Sequence, residues 1–140
     1  MRGKTFVDTN VFIYAHNVDS AVKHRIAERI MQDLWHDGTG SLSTQVLQEF
    51  YINVTRKIAK PLPKATARAI VNSYAIWCAE TTPEDITVAF QIEDEARIGF
   101  WDALIVAAAV KAGADRILSE DLNAGQSISA VLIENPFAQV

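Results

Sequence analysis

The stretch "FVDTNVFIYAH", residues 6–16, places a carboxylate, a hydroxyl and an amide inside an otherwise apolar run. Phe6 and Val7 read as the end of a buried strand, and Val11 to Ala15 read as further buried chain. Burying an unpaired carboxylate costs on the order of several kcal/mol. Asp8 therefore needs partners from elsewhere in the sequence.

Outward from this stretch, short apolar runs alternate with longer helical patterns. Thr5 to Val7 reads as a first strand. Ala21 to Trp35 reads as a helix, with Val22, Ile26, Ile30 and Leu34 recurring every fourth residue. Gly38 and Gly40 break it, Ser41 to Ser43 can form a very short strand, and Thr44 can cap a helix carrying Val46, Leu47, Phe50, Tyr51, Val54 and Ile58. Pro61 and Pro63 end that helix. Lys64 to Cys78 gives another helix, and Glu80 to Thr82 a short strand before Pro83. Glu84 to Arg97 is helical, Gly99 separates it from a helix at Trp101 to Ala112, and Gly113 stands where a helix C-terminus favours glycine. Arg116 to Leu118 and Ala130 to Ile133 supply two last strands. Alternation on this scale predicts an α/β fold, a three-layer α/β/α sandwich around a mainly parallel sheet. In such sheets ligands bind beyond the carboxyl ends of the strands.

That rule singles out four acids. Asp8 follows the first strand, and Asp121 follows a later one in "ILSEDLNAG", residues 117–125. Asp102 is the lone carboxylate in the first turn of "WDALIVAAAV", a helix apolar all round and so expected to be buried. The helix N-terminus stabilises such a charge by only about 0.3–1 kcal/mol. Glu49 borders the apolar stripe of its helix beside Val46 and Phe50. Singly, each has an ordinary explanation: an Asx turn, a helix N-terminal acid, a loop acid and a surface glutamate. Jointly they point to one crevice, where four carboxylates repel by several kcal/mol per close pair, at an effective dielectric of about 20. A bound cation removes the repulsion, and an all-oxygen set without Cys or His favours Mg²⁺ or Mn²⁺ over Zn²⁺.

"FVDTNVFIYA", "STQVLQEFY", "GFWDALIVAAA" and "ILSEDLNAG" resemble, in order and spacing, the four acidic motifs of PIN-domain ribonucleases, most of all the VapC toxins of toxin–antitoxin pairs. The resemblance spans the chain, read as a single PIN-like nuclease domain over 1–140. It implies a Mg²⁺- or Mn²⁺-dependent endoribonuclease hydrolysing RNA phosphodiester bonds, a homodimer, and an antitoxin protein that blocks the site. Carried over by motif, the acids are Asp8, Glu49, Asp102 and Asp121. Asp8 and Asp102 are expected as direct metal ligands; Glu49 and Asp121 bind a second ion or act through water. Asn10 matches an amide that orients the first acid, and Ser119 matches a hydroxyl near the last strand. The final motif departs from the family pattern, running Leu122-Asn123-Ala124-Gly125 where many members continue to an acid and an aromatic.

Composition narrows the alternatives. The chain has 140 residues, 49% of them hydrophobic, which excludes disorder as a default and suits one core. No apolar run reaches the roughly 18 residues needed to span a bilayer, and no signal-peptide pattern opens the chain, so a cytoplasmic location is expected. The single Cys78 excludes a disulfide framework and reads as a small buried hydrophobe. The net charge of −4 conceals a segment, Phe50 to Ala79, with five basic residues (Arg56, Lys57, Lys60, Lys64, Arg68) and no acid. That segment is either a solvated helical face, a phosphate-contacting surface to which Arg56, Lys57 and Lys60 would contribute, or a dimer or antitoxin surface. Trp35, Trp77 and Trp101 read as core from their helical spacing, the three histidines as surface residues, and Glu93, Asp94 and Glu95 as a solvated face. A haloacid-dehalogenase-like phosphatase would need a second Asp at position 10, where Asn10 cannot cycle a proton. The remaining alternative is a PIN-like module that binds RNA or protein without cleaving.

Overall fold

The computed structural model describes residues 3–139. Strand β1 (Lys4–Val7) runs into the short helix α1 (Thr9–Tyr14), followed by α2 (Val22–Asp37), β2 (Gly40–Ser41), α3 (Thr44–Arg56) and α4 (Lys64–Tyr74). Then come α5 (Pro83–Ala96), α6 (Phe100–Lys111), β3 (Ala114–Leu118), β4 (Ser127–Ile128) and β5 (Val131–Glu134). The five strands form one sheet in the order β2-β1-β3-β5-β4, with only the β4–β5 pair antiparallel.

Successive strand residues point to opposite faces. Phe6 and Val7 in β1 are nevertheless both fully buried, as are Ile117 and Leu118 in β3 to within 3%. Both faces of the central strands are therefore covered, as the apolar runs predict. Helix α6 lies against β3 and β5 with α5 packed on it, while α1 to α4 pack on one another and reach β2 through α2. Phe12 of α1 stacks on Phe50 of α3 with ring centroids 4.2 Å apart.

The chain leaves β1 to build β2 on one side, then crosses to place β3 on the other. The strand order reverses between β1 and β3, whose ends are aligned by the Val7–Leu118 pairing. A crevice opens beyond the strand ends at such a reversal.

Several sequence-based expectations change. Residues after Asp8 are a helix: Asp8 is extended (φ −74°, ψ 160°) and caps α1 with its own side chain. Ser43, rather than Thr44, caps α3, because only Ser43 has the extended backbone that frees a cap oxygen for the Val46 N–H. Helix α4 stops at Tyr74, and the chain continues through one 3₁₀ turn to Trp77. No strand forms at residues 80–82; a single parallel bridge joins Leu42 to Cys78 instead. The two-residue β4, too short to carry a pattern, has no counterpart in the sequence reading. Trp35 (50% exposed) and Trp101 (66% exposed) are not core. Apolar spacing marks a helix face but not what covers it, and the ends of α2 and α6 lie past their cover. His16 is half-buried among Phe12, Phe50 and Tyr74. Gly113 takes the left-handed conformation (φ +75°) expected after α6. No helix among the described residues is long and apolar enough to cross a membrane.

Gly40 has a packing role that its turn reading missed: a Cβ there would run into the indole ring of Trp77. Gly99, by contrast, has open space around its Cα and an ordinary φ of −68°. Gly40→Ala should lower stability by about 1–3 kcal/mol in urea unfolding, while Gly99→Ala should change little. Equal midpoints for the two variants would refute the packing role.

Candidate active site

Asp8 is the residue immediately beyond β1, and its backbone N–H still donates to Leu118 O at 3.0 Å, continuing the sheet for one residue. Its side chain is buried and held on both oxygens. Oδ1 accepts the Thr9 N–H at 2.8 Å; Oδ2 accepts the Ser119 hydroxyl at 2.7 Å and the Asn10 amide at 3.3 Å. Ser119 sits beyond β3, fully buried, and its Oγ also accepts the N–H groups of Asp121 (3.1 Å) and Leu122 (3.2 Å). The Asn10 amide donates to the same Oγ at 3.4 Å, and with three donors pointing in, the hydroxyl proton is directed at Asp8. Asn10 spans the same gap: its Nδ2 donates to Asp121 Oδ2 at 3.1 Å, and its Oδ1 accepts the Glu120 N–H at 3.0 Å. One amide thus holds two acids and the backbone of the 119–122 turn in register.

Glu49 projects from the second turn of α3 and accepts the Thr9 hydroxyl at 2.9 Å. Asp102 lies in the exposed first turn of α6 and Asp121 in the exposed turn after β3. Burial pushes the Asp8 carboxyl up to about 6, against the lowering pull of its hydrogen bonds to Ser119 and Thr9 and with further upward pushes from Asp121 and Glu49. Partial burial and then the charge of Asp121 raise Asp102 as well. Asp8 thus feels the charges of Asp121 and Glu49, and Asp102 that of Asp121. Among the described residues none of the four forms an ion pair with Lys, Arg or His, and no three His, Cys, Asp or Glu side chains already stand at ion-holding distances. Hard oxygen donors carrying uncompensated negative charge, one rigid and three on exposed turns, are a set that fits a divalent cation.

Two further groups had no partner assigned from the sequence. Thr9, the hydroxyl between Asp8 and Asn10, fixes Glu49. Glu120, next to Asp121, turns away to Lys23 of α2 and accepts the Tyr14 hydroxyl at 2.7 Å, tying the 119–122 turn to α1 and α2. Burial opposes ionisation of Glu120, but its bonds to Lys23 and Tyr14 outweigh it and lower its pKa. Nothing in the sequence marks Lys23 as its partner. Asn123 is exposed and its side chain bonds to none of the acids.

The basic residues divide. Arg56 is exposed seven residues after Glu49 on α3, so it shares the Glu49 face roughly 10 Å along the axis. Lys57 projects about 100° further round. Lys60 sits beyond the helix, 3.7 Å from Asp19. Arg68 lies over the Tyr51 ring.

Comparison with known proteins places this arrangement. Among curated proteins, none matches the chain by sequence. Solved structures share its fold at low identity, among them the following three. VapC20 of Mycobacterium tuberculosis, a sarcin-ricin loop cleaving toxin, is 23% identical over 84% of this chain and 90% of its own, with a TM-score of 0.64. VapBC2 of Rickettsia felis, bound to a DNA fragment from its promoter, is 17% identical over 94% and 97%, with a TM-score of 0.64. FitAcB of Neisseria gonorrhoeae is 18% identical over 96% and 99%, with a TM-score of 0.69. The PIN domain family model matches residues 5–126, covering β1 through the turn after β3 and with them all four acids, so the chain belongs to the PIN domain family.

Proposed function

We propose that the chain is a Mg²⁺- or Mn²⁺-dependent endoribonuclease, one PIN-like nuclease domain acting as the toxin of a toxin–antitoxin pair. The observation that carries this reading is the hydrogen-bond set by which Thr9 and Asn10 join Asp8 to Glu49 and Asp121, with Asp102 within reach of the Asp121 charge and, among the described residues, no cationic partner on any of the four. The toxin assignment draws on the likeness to VapC20, VapBC2 and FitAcB, and with it an antitoxin partner and a homodimer.

Asp8 and Asp102 would hold the ion directly, with Asp121 and Glu49 completing the site or binding a second ion. A bound divalent ion would supply an acidified water and offset charge developing on the scissile phosphate. The chain's own residues do the rest. Ser119, Thr9 and Asn10 hold Asp8 in one orientation, so that ligand is set before binding. Thr9 restrains Glu49, and Glu49 or Asp121, both open to solvent, can accept the proton of the attacking water. Arg56 and Lys57 lie further along α3 from Glu49, where they would meet the phosphates of an RNA strand reaching the acids, with Lys60 beyond.

Asp8→Asn should lower Mg²⁺-dependent RNA cleavage by at least about a hundredfold and leave the circular dichroism spectrum unchanged; wild-type cleavage by this variant would sink the assignment. Excess EDTA should abolish cleavage and Mn²⁺ should restore it, whereas an RNA-binding module without catalysis would cut nothing under either condition.

The raised Asp8 pKa has a thermodynamic consequence in the metal-free protein. The folded state binds this proton near pH 6 and the unfolded chain only near 3.8, so protonation favours folding. Between pH 7 and pH 4.5, in EDTA, wild type should therefore gain about 2 kcal/mol relative to Asp8→Asn. Parallel pH trends for the two proteins would show that Asp8 is not desolvated. Changing Arg56 and Lys57 together to Ala should reduce the slope of log binding constant against log salt by about 0.7 per lost phosphate contact. An unchanged slope would assign that face to a protein partner instead.

A further inference from the structure

We infer that Lys23, Tyr14 and Glu120 are positioning residues for Asp121, and that they set how tightly the acids hold a divalent cation. This rests on the metal-nuclease reading and names residues outside the acids on which that site depends. Asp121 lies in the exposed turn after β3, and its carboxylate takes a hydrogen bond from the Asn10 amide at 3.1 Å. The turn that carries it therefore largely decides where it stands. Like charges on Asp8 and Asp121 repel, which works to spread the two apart. The 119–122 turn has to be held against that push.

Glu120, the residue before Asp121, is held through both its backbone and its side chain. Its N–H donates to Asn10 Oδ1 at 3.0 Å. Its carboxylate accepts the Tyr14 hydroxyl on Oε1 at 2.7 Å and the Lys23 ammonium on Oε2. Asn10 and Tyr14 are four residues apart and so share one face of α1. One helix thus grips Glu120 twice, and α2 supplies a second anchor.

The anchors are themselves fixed. The Lys23 ammonium lies 5.1 Å from the centroid of the Tyr14 ring and 5.7 Å from that of Phe137. Phe137 is buried and meets Tyr14 edge-on, with centroids 5.1 Å apart. An isolated exposed ion pair fixes little, but a carboxylate engaged on both oxygens, with rings against the ammonium, holds one geometry. Helix α2 gains nothing from this lysine. Lys23 stands in its first turn, where the helix dipole disfavours a cation. The preceding Ala21 has a φ of +51° and supplies no side-chain cap. The lysine is accounted for by the carboxylate it reaches across the fold.

Mn²⁺ binding to the full chain, followed without RNA by the EPR signal of free Mn²⁺, tests this. Glu120→Ala, Lys23→Met and Tyr14→Phe should each raise the Mn²⁺ dissociation constant about tenfold. The first removes a negative charge, the second a positive charge and the third neither. A purely electrostatic influence would therefore weaken binding in the first, strengthen it in the second and leave the third alone. Adding Lys23→Met to Glu120→Ala should cost nothing further, because the shared tether is already gone. Gly40→Ala, which loosens packing beneath Trp77, should bind Mn²⁺ as wild type does. In Mg²⁺, RNA cleavage by the three variants should fall more at limiting than at saturating metal. Should Glu120→Ala fail to fold, Lys23→Met and Tyr14→Phe carry the comparison. Wild-type Mn²⁺ affinity in all three variants of a protein that cuts RNA overturns the positioning role and leaves the nuclease reading standing. Shifts that follow the sign of the lost charge, or an equal weakening in Gly40→Ala, overturn it in the same way. Tenfold weakening in a protein that cuts no RNA upholds the positioning role and overturns the nuclease reading. A wild type that binds no Mn²⁺ overturns both.

Discussion

A carboxylate buried at the end of the central strand governs this structure. Asp8 stands one residue past β1 with only 7% of its surface exposed, and a charge in that position is tolerable only if the fold supplies donors. It supplies three, and they come from two directions: the Thr9 N–H and Asn10 amide from the start of α1, and the Ser119 hydroxyl from the end of β3. Strand register, helix start and turn geometry are thus coupled through one side chain. The polar set is also incomplete. Burial still leaves the Asp8 carboxyl near 6, with Asp121 and Glu49 adding to the strain rather than relieving it. The site is built to be more stable with additional positive charge.

The scaffold makes that arrangement rigid by ordinary means. Completely buried Phe6, Val7 and Ile117 lock β1 and β3 between two helical layers. The Val7–Leu118 pairing then sets the ends of the two strands side by side. Polar groups just beyond those ends share one opening because the chain changes sides between β1 and β3. The acids on helices arrive differently. Glu49 and Asp102 stand near the beginnings of α3 and α6, with exposed side chains. Asp8 is held by three donors, Glu49 and Asp121 by one side-chain donor each, and Asp102 by none among the described residues.

Charge is also unevenly distributed along the chain. The acids sit at the crevice, while the basic residues of the 50–79 segment follow from the far end of α3. Only Arg56 shares the Glu49 face, and Lys60 is drawn toward Asp19. A cluster that looks uniform in sequence is divided in space, with Arg56 and Lys57 at the end of α3, Lys60 near Asp19 and Arg68 over the Tyr51 ring.

What the sequence determined by itself was whatever depends on local period or on short motifs. The buried strands, the long helices and the helix-stopping Gly113 follow from apolar spacing and backbone preference. The four acids, Asn10 and Ser119 followed from their positions after strands or in motif register. Tertiary structure alone decided the remainder. That Thr9 reaches Glu49, that Glu120 pairs with Lys23, and that Gly40 is needed beneath Trp77 are contacts between segments whose separation leaves no periodic trace. The exposure of Trp35 and Trp101 belongs here too: spacing specifies which face of a helix is apolar, but only the packing of other elements determines whether that face is covered.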